Sequence, residues 1–267
     1  MSESLVLVAN AESVRTLKLH RPASLNSLTS AMHAELLAAL EDAAGASEVR
    51  CVVLTGAGRA FCAGQDLADP MVAPDLAPGA QPKDLGRTIE LLYKPLVRRL
   101  RAMPVPVVAA VNGVAAGAGA NLALNCDVVV AARSASFIQA FARIGLVPDT
   151  GGTWLLPRLV GRARAMGLAM LGDKLAAADA ERIGLIWKCV EDAALQDEAA
   201  SLAQRLAAMP VKALAATRKA IDGAQQLTLD EALDEEALLQ AELGFAHDYQ
   251  EGVAAFGAKR APRFTDR

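Results

Sequence analysis

The sequence predicts an α/β core followed by a helical C-terminal part. Apolar, β-branched runs at Cys51, Val105 and Asp127 are separated by segments of helical period, the alternation expected of strands feeding helices. From near residue 200 only helical patterns continue. Hydrophobic residues make up 53% of the 267-residue chain, enough for one large core or a main domain with a smaller appendage.

The elements follow in order. Leu5–Ala9 and Val14–Leu19 read as short strands around a turn at Asn10-Ala11-Glu12, a hairpin pattern. After a polar loop at residues 20–26, Ser27–Ala44 carries Met32, Leu36, Leu37 and Leu40 at helical spacing, and Gly45 can end that helix. Cys51–Thr55 is an apolar strand. Residues 70–83 hold Pro70, Pro74, Pro78 and Pro82 and read as a mobile surface loop placed where a lid could lie. Asp84–Met103 is helical by period, through Leu91, Leu92, Leu96 and Leu100, with Pro95 a source of kinking. Val105 begins a buried strand that breaks at Asn112-Gly113 and passes into a small-residue helix start. Asp127–Ala132 is a further strand. Arg162–Leu171 and Ala176–Ile183 read as helices and Ile186–Val190 as a short strand. Three more helices are expected over Asp192–Ala208, Val211–Asp222 and Leu227–Gly244. No repeat of fixed period is visible.

Composition narrows the function classes. The net charge is −3 with no long basic block, which argues against nucleic acid. The start, MSESLVLVAN, lacks the basic and long apolar regions of a signal peptide, and no apolar run approaches the roughly 20 residues of a membrane span. Cys51, Cys62, Cys126 and Cys189 form no CxxC pair and read as reduced thiols of a cytoplasmic protein. His20, His33 and His247 lack metal-ligand spacing.

Two stretches hold candidate chemistry. In AVNGVAAGAGAN, Gly117, Ala118 and Gly119 fall where the first backbone N–H groups of a helix have no intrahelical partner. Such donors suit a developing negative charge, although small residues also serve close helix–sheet packing. In GLVPDTGGTWLLPR, Asp149 stands between a proline and paired glycines, as a helix N-cap or as a functional acid.

These stretches, with RPASLNSL and AFCAGQDL, resemble the crotonase, or enoyl-CoA hydratase/isomerase, family along almost the whole chain. The resemblance implies a spiral of β-β-α units over residues 1–199. A helical region over residues 200–267 would assemble a homotrimer or a dimer of trimers. It places an oxyanion hole on the backbone N–H groups of Gln65 and Ala118, with the thioester oxygen of an acyl-CoA between them. Ala63, Gly64, Gln65, Asp66, Leu67 and Gly117 would line the thioester and coenzyme A region. Arg21, Ala23 and Leu25 are further coenzyme A candidates, and Phe256 and Lys259 match a region that reaches a neighbouring subunit's ligand.

The two glutamates of the family's water-adding members are replaced by Asn121 and Phe141. Hydration is therefore not expected. Asn121 remains a candidate hydrogen-bonding partner of substrate, and Phe141 a wall for an apolar acyl group. Asp149 matches a catalytic aspartate of some family isomerases and of an aryl-CoA dehalogenase. Its surroundings and the EGVAAFGAKRAPRFT ending most resemble the isomerases that convert ring-epoxidised phenylacetyl-CoA to oxepin-CoA. The implied role is a proton shuttle, which would also move 3-enoyl double bonds to the 2 position. No metal or redox cofactor is implied, since coenzyme A is part of the substrate. A general fatty enoyl-CoA isomerase and a non-catalytic coenzyme A- or RNA-binding scaffold are the alternatives; the acidic balance counts against RNA.

Overall fold

The computed structural model describes residues 4–75, 77 and 79–267. Pro78 of the proline-rich loop lies outside the described residues.

Two sheets carry the core. The larger has the strand order β1 (Val6–Ala11), β2 (Val14–Leu19), β3 (Cys51–Gly56), β5 (Val107–Val111), β7 (Val128–Ala132), β10 (Lys188–Val190). Only β1 and β2 are antiparallel; the other pairings are parallel. The smaller sheet has the order β4 (Ala60–Cys62), β6 (Val114–Ala116), β8 (Ser136–Ile138), β9 (Lys174–Ala176). The chain winds between them: β3 then β4, β5 then β6, β7 then β8, each pair followed by helix. This is the β-β-α spiral expected from the resemblance. The strands of the larger sheet begin at Cys51, Val107 and Val128, and that uneven spacing explains the absence of a sequence period.

Helix α1 (Ser30–Gly45) starts three residues later than the periodicity suggests, because the Thr29 side chain accepts from the Met32 N–H and caps it. It buries Met32, Leu36 and Leu40. The hairpin turn is also shorter, since β1 runs through Ala11 and pairs it with Val14.

The expected helix over 84–103 is three pieces: α2 (Leu85–Thr88), a π-helical turn at Ile89–Tyr93, and α3 (Lys94–Arg101). Pro95 accounts for the break. Its ring has no N–H and crowds the carbonyl four residues back, which a wider turn relieves. The Lys94 N–H accordingly bonds Ile89 O, five residues earlier. Leu96 and Leu100 are buried, but Leu91 faces out.

Between β5 and α4 (Ala118–Leu124) the chain forms strand β6, which the Asn112-Gly113 break does not suggest. Helix α5 (Gly152–Leu171) begins well before residue 162 and is interrupted at Gly161, whose φ of 75° is not helical. Then come α6 (Ala177–Arg182) and α7 (Leu195–Ala207), whose buried Leu195, Ala199, Leu202 and Ala203 belong to the main core. The expected division at 199/200 thus falls inside α7. The peripheral helices are α8 (Val211–Ala224), α9 (Leu229–Gly244) and α10 (His247–Gly257), the last carrying no strong sequence signal. Arg218 ties α8 to the core through Asp127 and the carbonyls of Met103 and Val105. Among the described residues no helix is long and apolar enough to cross a membrane.

Candidate active site

A cavity of about 500 Å³ lies where α4, the loop after β4, the π-helical turn and the segment before α5 meet. Gly117, with φ 52° and ψ −125°, turns the chain sharply from β6 into α4, a conformation that glycine adopts readily. Its own N–H bonds Ile138 O, and the next N–H, that of Ala118, opens α4 with no acceptor among the described residues. Opposite, Gln65 forms a parallel bridge with Leu28 in which Leu28 bonds Gly64 O and Asp66 bonds Leu28 O. In that pattern the Gln65 N–H points away from Leu28, and it too has no acceptor among the described residues. Gln65 and Ala118 both line the cavity. Gly64 lets their strands approach: a Cβ there would lie 2.8 Å from Ala116 O and 3.5 Å from the Ala118 nitrogen.

Asp149 is the one carboxylate among the described residues that line this cavity. It is half-buried, and burial raises the pKa of its carboxyl from the ordinary value, against the Thr150 hydroxyl bond and its own backbone N–H. The Thr150 Oγ1 donates to Asp149 Oδ1 at 2.8 Å. Asp149 does not cap α5: the N-cap is Gly151, in the left-handed region, and no side chain bonds that helix end. The Asp149 contribution to the turn is its carbonyl, which accepts from the Gly152 N–H.

Asn121 is fully buried and does not line the cavity. Both ends of its carboxamide are used within the protein, Nδ2 on Asp149 O and Oδ1 by Gln139 Nε2, each at 2.8 Å. Phe141 does line the cavity, packed 3.7 Å from where a Gly117 Cβ would be. Ala63, Gly64, Leu67 and Gly117 line it as well.

Arg21, Ala23, Leu25 and Asp66 do not. Arg21 is engaged with Asp66 at 2.8 Å and with Ser27 O at 2.6 Å, and the Leu25 carbonyl accepts from the Ala63 N–H. Arg21 and Leu25 thus brace the 63–66 segment, and Ala23 is exposed. Phe256 and Lys259 are exposed at the end of α10 and do not line the cavity within one chain.

Some lining residues carry little sequence signal. Tyr93 ends the π-helical turn, 2% exposed, and donates its hydroxyl to Gln65 Oε1 at 2.6 Å. Burial pushes its pKa well up, with the negative charge of Asp149 adding to the shift, so the hydroxyl stays protonated. The edge of His33 packs behind it, ring centroids 4.3 Å apart, and burial lowers the His33 pKa to about 4. Leu85, Thr88, Ile89, Ile144 and Leu146 complete a mostly apolar wall. A tyrosine inside an aliphatic helix period was the only pointer to Tyr93. The thiols of Cys51 and Cys62 are buried and pushed up to about 12, away from nucleophilic use.

Two backbone donors without acceptors among the described residues and one raised carboxyl line the same mostly apolar cavity, an arrangement chemically suited to stabilising an enolate. On this fold, that arrangement defines a class, and the comparison agrees. Residues 9–267 match the enoyl-CoA hydratase/isomerase family model, and the chain belongs to that family, the crotonases, whose enzymes act on acyl-CoA. It is 54% identical over 254 residues to the 1,2-epoxyphenylacetyl-CoA isomerase of Escherichia coli K12, covering 95% of each chain. It is 48% identical, over the full length of both, to a protein of Rhodobacter capsulatus named probable enoyl-CoA hydratase. The crystal structure of an enoyl-CoA hydratase from Bacillus anthracis superposes with a TM-score of 0.90 at 31% identity, covering 99% of this chain and 100% of that one.

Proposed function

We propose that this chain is an acyl-CoA isomerase that rearranges 2-(1,2-epoxy-1,2-dihydrophenyl)acetyl-CoA to oxepin-CoA and shifts 3-enoyl-CoA double bonds to the 2 position. The observation that carries the reading is that Asp149, the single cavity carboxylate among the described residues, lines the same cavity as Gln65 and Ala118, whose N–H groups have no acceptor among those residues.

In this mechanism the Asp149 carboxylate takes a proton from the carbon next to the thioester. The C–H electron pair moves into the thioester, and charge gathers on its oxygen between the two N–H groups. Those donors bind the charged oxygen more strongly than the neutral carbonyl, so they lower the barrier more than they tighten substrate binding. One such donor is worth roughly 3 kcal/mol in related chemistry. The Asp149 carboxylic acid then returns the proton at the far end of the conjugated system. With the epoxide substrate, the three-membered ring opens as its shared carbon–carbon bond breaks, giving the seven-membered oxepin. Atoms and charge balance without water, metal or a redox partner, and coenzyme A enters as part of the substrate.

The raised carboxyl of Asp149 suits a group that both takes and gives the proton. Water addition needs a second acid–base group beside the first, and positions 121 and 141 supply asparagine and phenylalanine. In the assembly proposed with this function, a homotrimer or dimer of trimers, the exposed Phe256 and Lys259 serve a neighbouring subunit's coenzyme A.

Product analysis tests the reading. The purified enzyme is given ring-epoxidised phenylacetyl-CoA and, separately, a 3-enoyl-CoA. Oxepin-CoA from the first and 2-enoyl-CoA from the second are expected. A 3-hydroxyacyl-CoA as the main product from a 2-enoyl-CoA would overturn it in favour of hydration.

A further inference from the structure

We propose that Asn121 is a positioning residue that locks the backbone of Asp149 onto α4, the helix that also presents the Ala118 N–H; this rests on Asp149 acting as the base.

Three elements meet at the Asn121 carboxamide. Gln139, following β8, donates to its Oδ1, which leaves Nδ2 directed at the carbonyl of Asp149. One turn further along the same helix, Asn125 repeats the contact: its Nδ2 donates to Thr150 O at 2.8 Å and to Asn121 O at 2.8 Å. Residues four apart share a helix face. Asn121 and Asn125 therefore hold two successive carbonyls of one turn.

That turn needs holding. Thr150 has a φ of 52° and Gly151 one of 78°, and a β-branched residue in the left-handed region is strained. The packing is close: a Cβ on Gly152 would lie 2.3 Å from Asn121 Nδ2. Asn121, Asn125, Gln139 and Thr150 are all buried, so an unmade bond here would not be replaced by bulk water.

The geometric consequence concerns the reaction. Ala118 is the first residue of α4, and Asn121 lies three residues on, roughly 4.5 Å along the axis. One rigid element thus sets both the oxyanion donor and the seat of the base. A carboxylate at position 121 has no N–H to give the Asp149 carbonyl and would repel it. The clamp and an acid at that position are mutually exclusive.

The test compares Asn121→Ala, the isosteric Asn121→Asp, Gln139→Leu and Asp149→Asn, measuring kcat and KM for a 3-enoyl-CoA. Displacing a base by about 1 Å costs on the order of 100-fold. Asn121→Ala and Asn121→Asp are expected to lose about that factor in kcat, with KM within about threefold of the parent. Gln139→Leu frees the carboxamide without altering α4 and should lose about tenfold in kcat; it carries the test if the Asn121 variants do not fold. Retained kcat in folded Asn121 variants, or in Gln139→Leu where those do not fold, overturns the proposal, as does an equal loss of binding and turnover. Full turnover by Asp149→Asn overturns the base assignment itself, a separate result from retained kcat at Asn121 with Asp149→Asn inactive.

Discussion

Gly119 gives the oxyanion site its sharpest test, because the space around it is filled by Cys62, backbone and side chain together. A Cβ at Gly119 would lie 2.3 Å from the Cys62 carbonyl oxygen and 2.7 Å from Cys62 Cβ and Sγ. Ordinary contact begins near 3.4 Å, so Gly119→Ala forces α4 and β4 apart by about 1 Å. Ala118 precedes Gly119 on α4, and Gln65 follows β4 by three residues, so the same displacement spreads the two N–H donors. Overpacking of this kind costs about 1–3 kcal/mol, partly offset by the roughly 1 kcal/mol that alanine gains over glycine in a helix. The expected melting temperature falls by about 2–4 °C for each net kcal/mol. Misplacing one oxyanion donor costs on the order of 100-fold in kcat. Thermal melts and steady-state isomerisation of a 3-enoyl-CoA measure both. The control is Gly167→Ala within α5, where nothing lies within 4 Å of the added methyl; it should keep its kcat and lose no stability. A Gly119→Ala protein with parental kcat and melting temperature would refute the close approach of α4 to β4 as the source of the donor geometry.

The raised carboxyl of Asp149 sets two pH effects. The base works only when ionised, so kcat/KM should fall with acid along a limb shifted upward from that of an ordinary aspartate. A folded-state pKa above the unfolded one means stability is lost as pH rises through that window. Asp149→Asn should therefore melt higher than the parent at pH 7, with the difference vanishing below the ordinary carboxylate range; melts at pH 3 and pH 7 check the sign. Arg218→Ala removes the ion pair to Asp127 and three carbonyl contacts, so a loss of about 3 kcal/mol is expected from charge-assisted hydrogen bonds, read by urea unfolding. A loss under 1 kcal/mol would mean that α8 is held by its apolar packing instead.

The parts of the fold legible in the sequence were those with long, strong patterns. Cys51–Gly56, Val107–Val111 and Val128–Ala132 are buried apolar runs, and α1 shows its stripe of Met32, Leu36 and Leu40. The second sheet was not legible, because its strands are three residues each and no alternation develops over that length. The π-helical turn was hidden for another reason: Pro95 signals a break but not how the helix accommodates it. At the site, the motifs pointed to Gln65, Ala118 and Asp149, and the structure gathers all three around one cavity. The internal bonds of Asn121 were not legible because its partners, Gln139 and the Asp149 carbonyl, are distant in sequence and one of them is backbone. Backbone acceptors leave no trace in side-chain identity. The Asp149 cap reading failed on similar grounds, since Thr150 and Gly151 in left-handed conformations separate the carboxylate from the helix end.

The most direct test of the central claim is Asp149→Asn assayed on ring-epoxidised phenylacetyl-CoA, with acyl-CoA binding measured on the same preparation. A positioned acid–base group contributes about 10²–10⁴ in rate. The account predicts a kcat loss in that range with binding of the acyl-CoA within about threefold of the parent. Oxepin-CoA formation at the parental rate would contradict it and remove Asp149 from the chemistry.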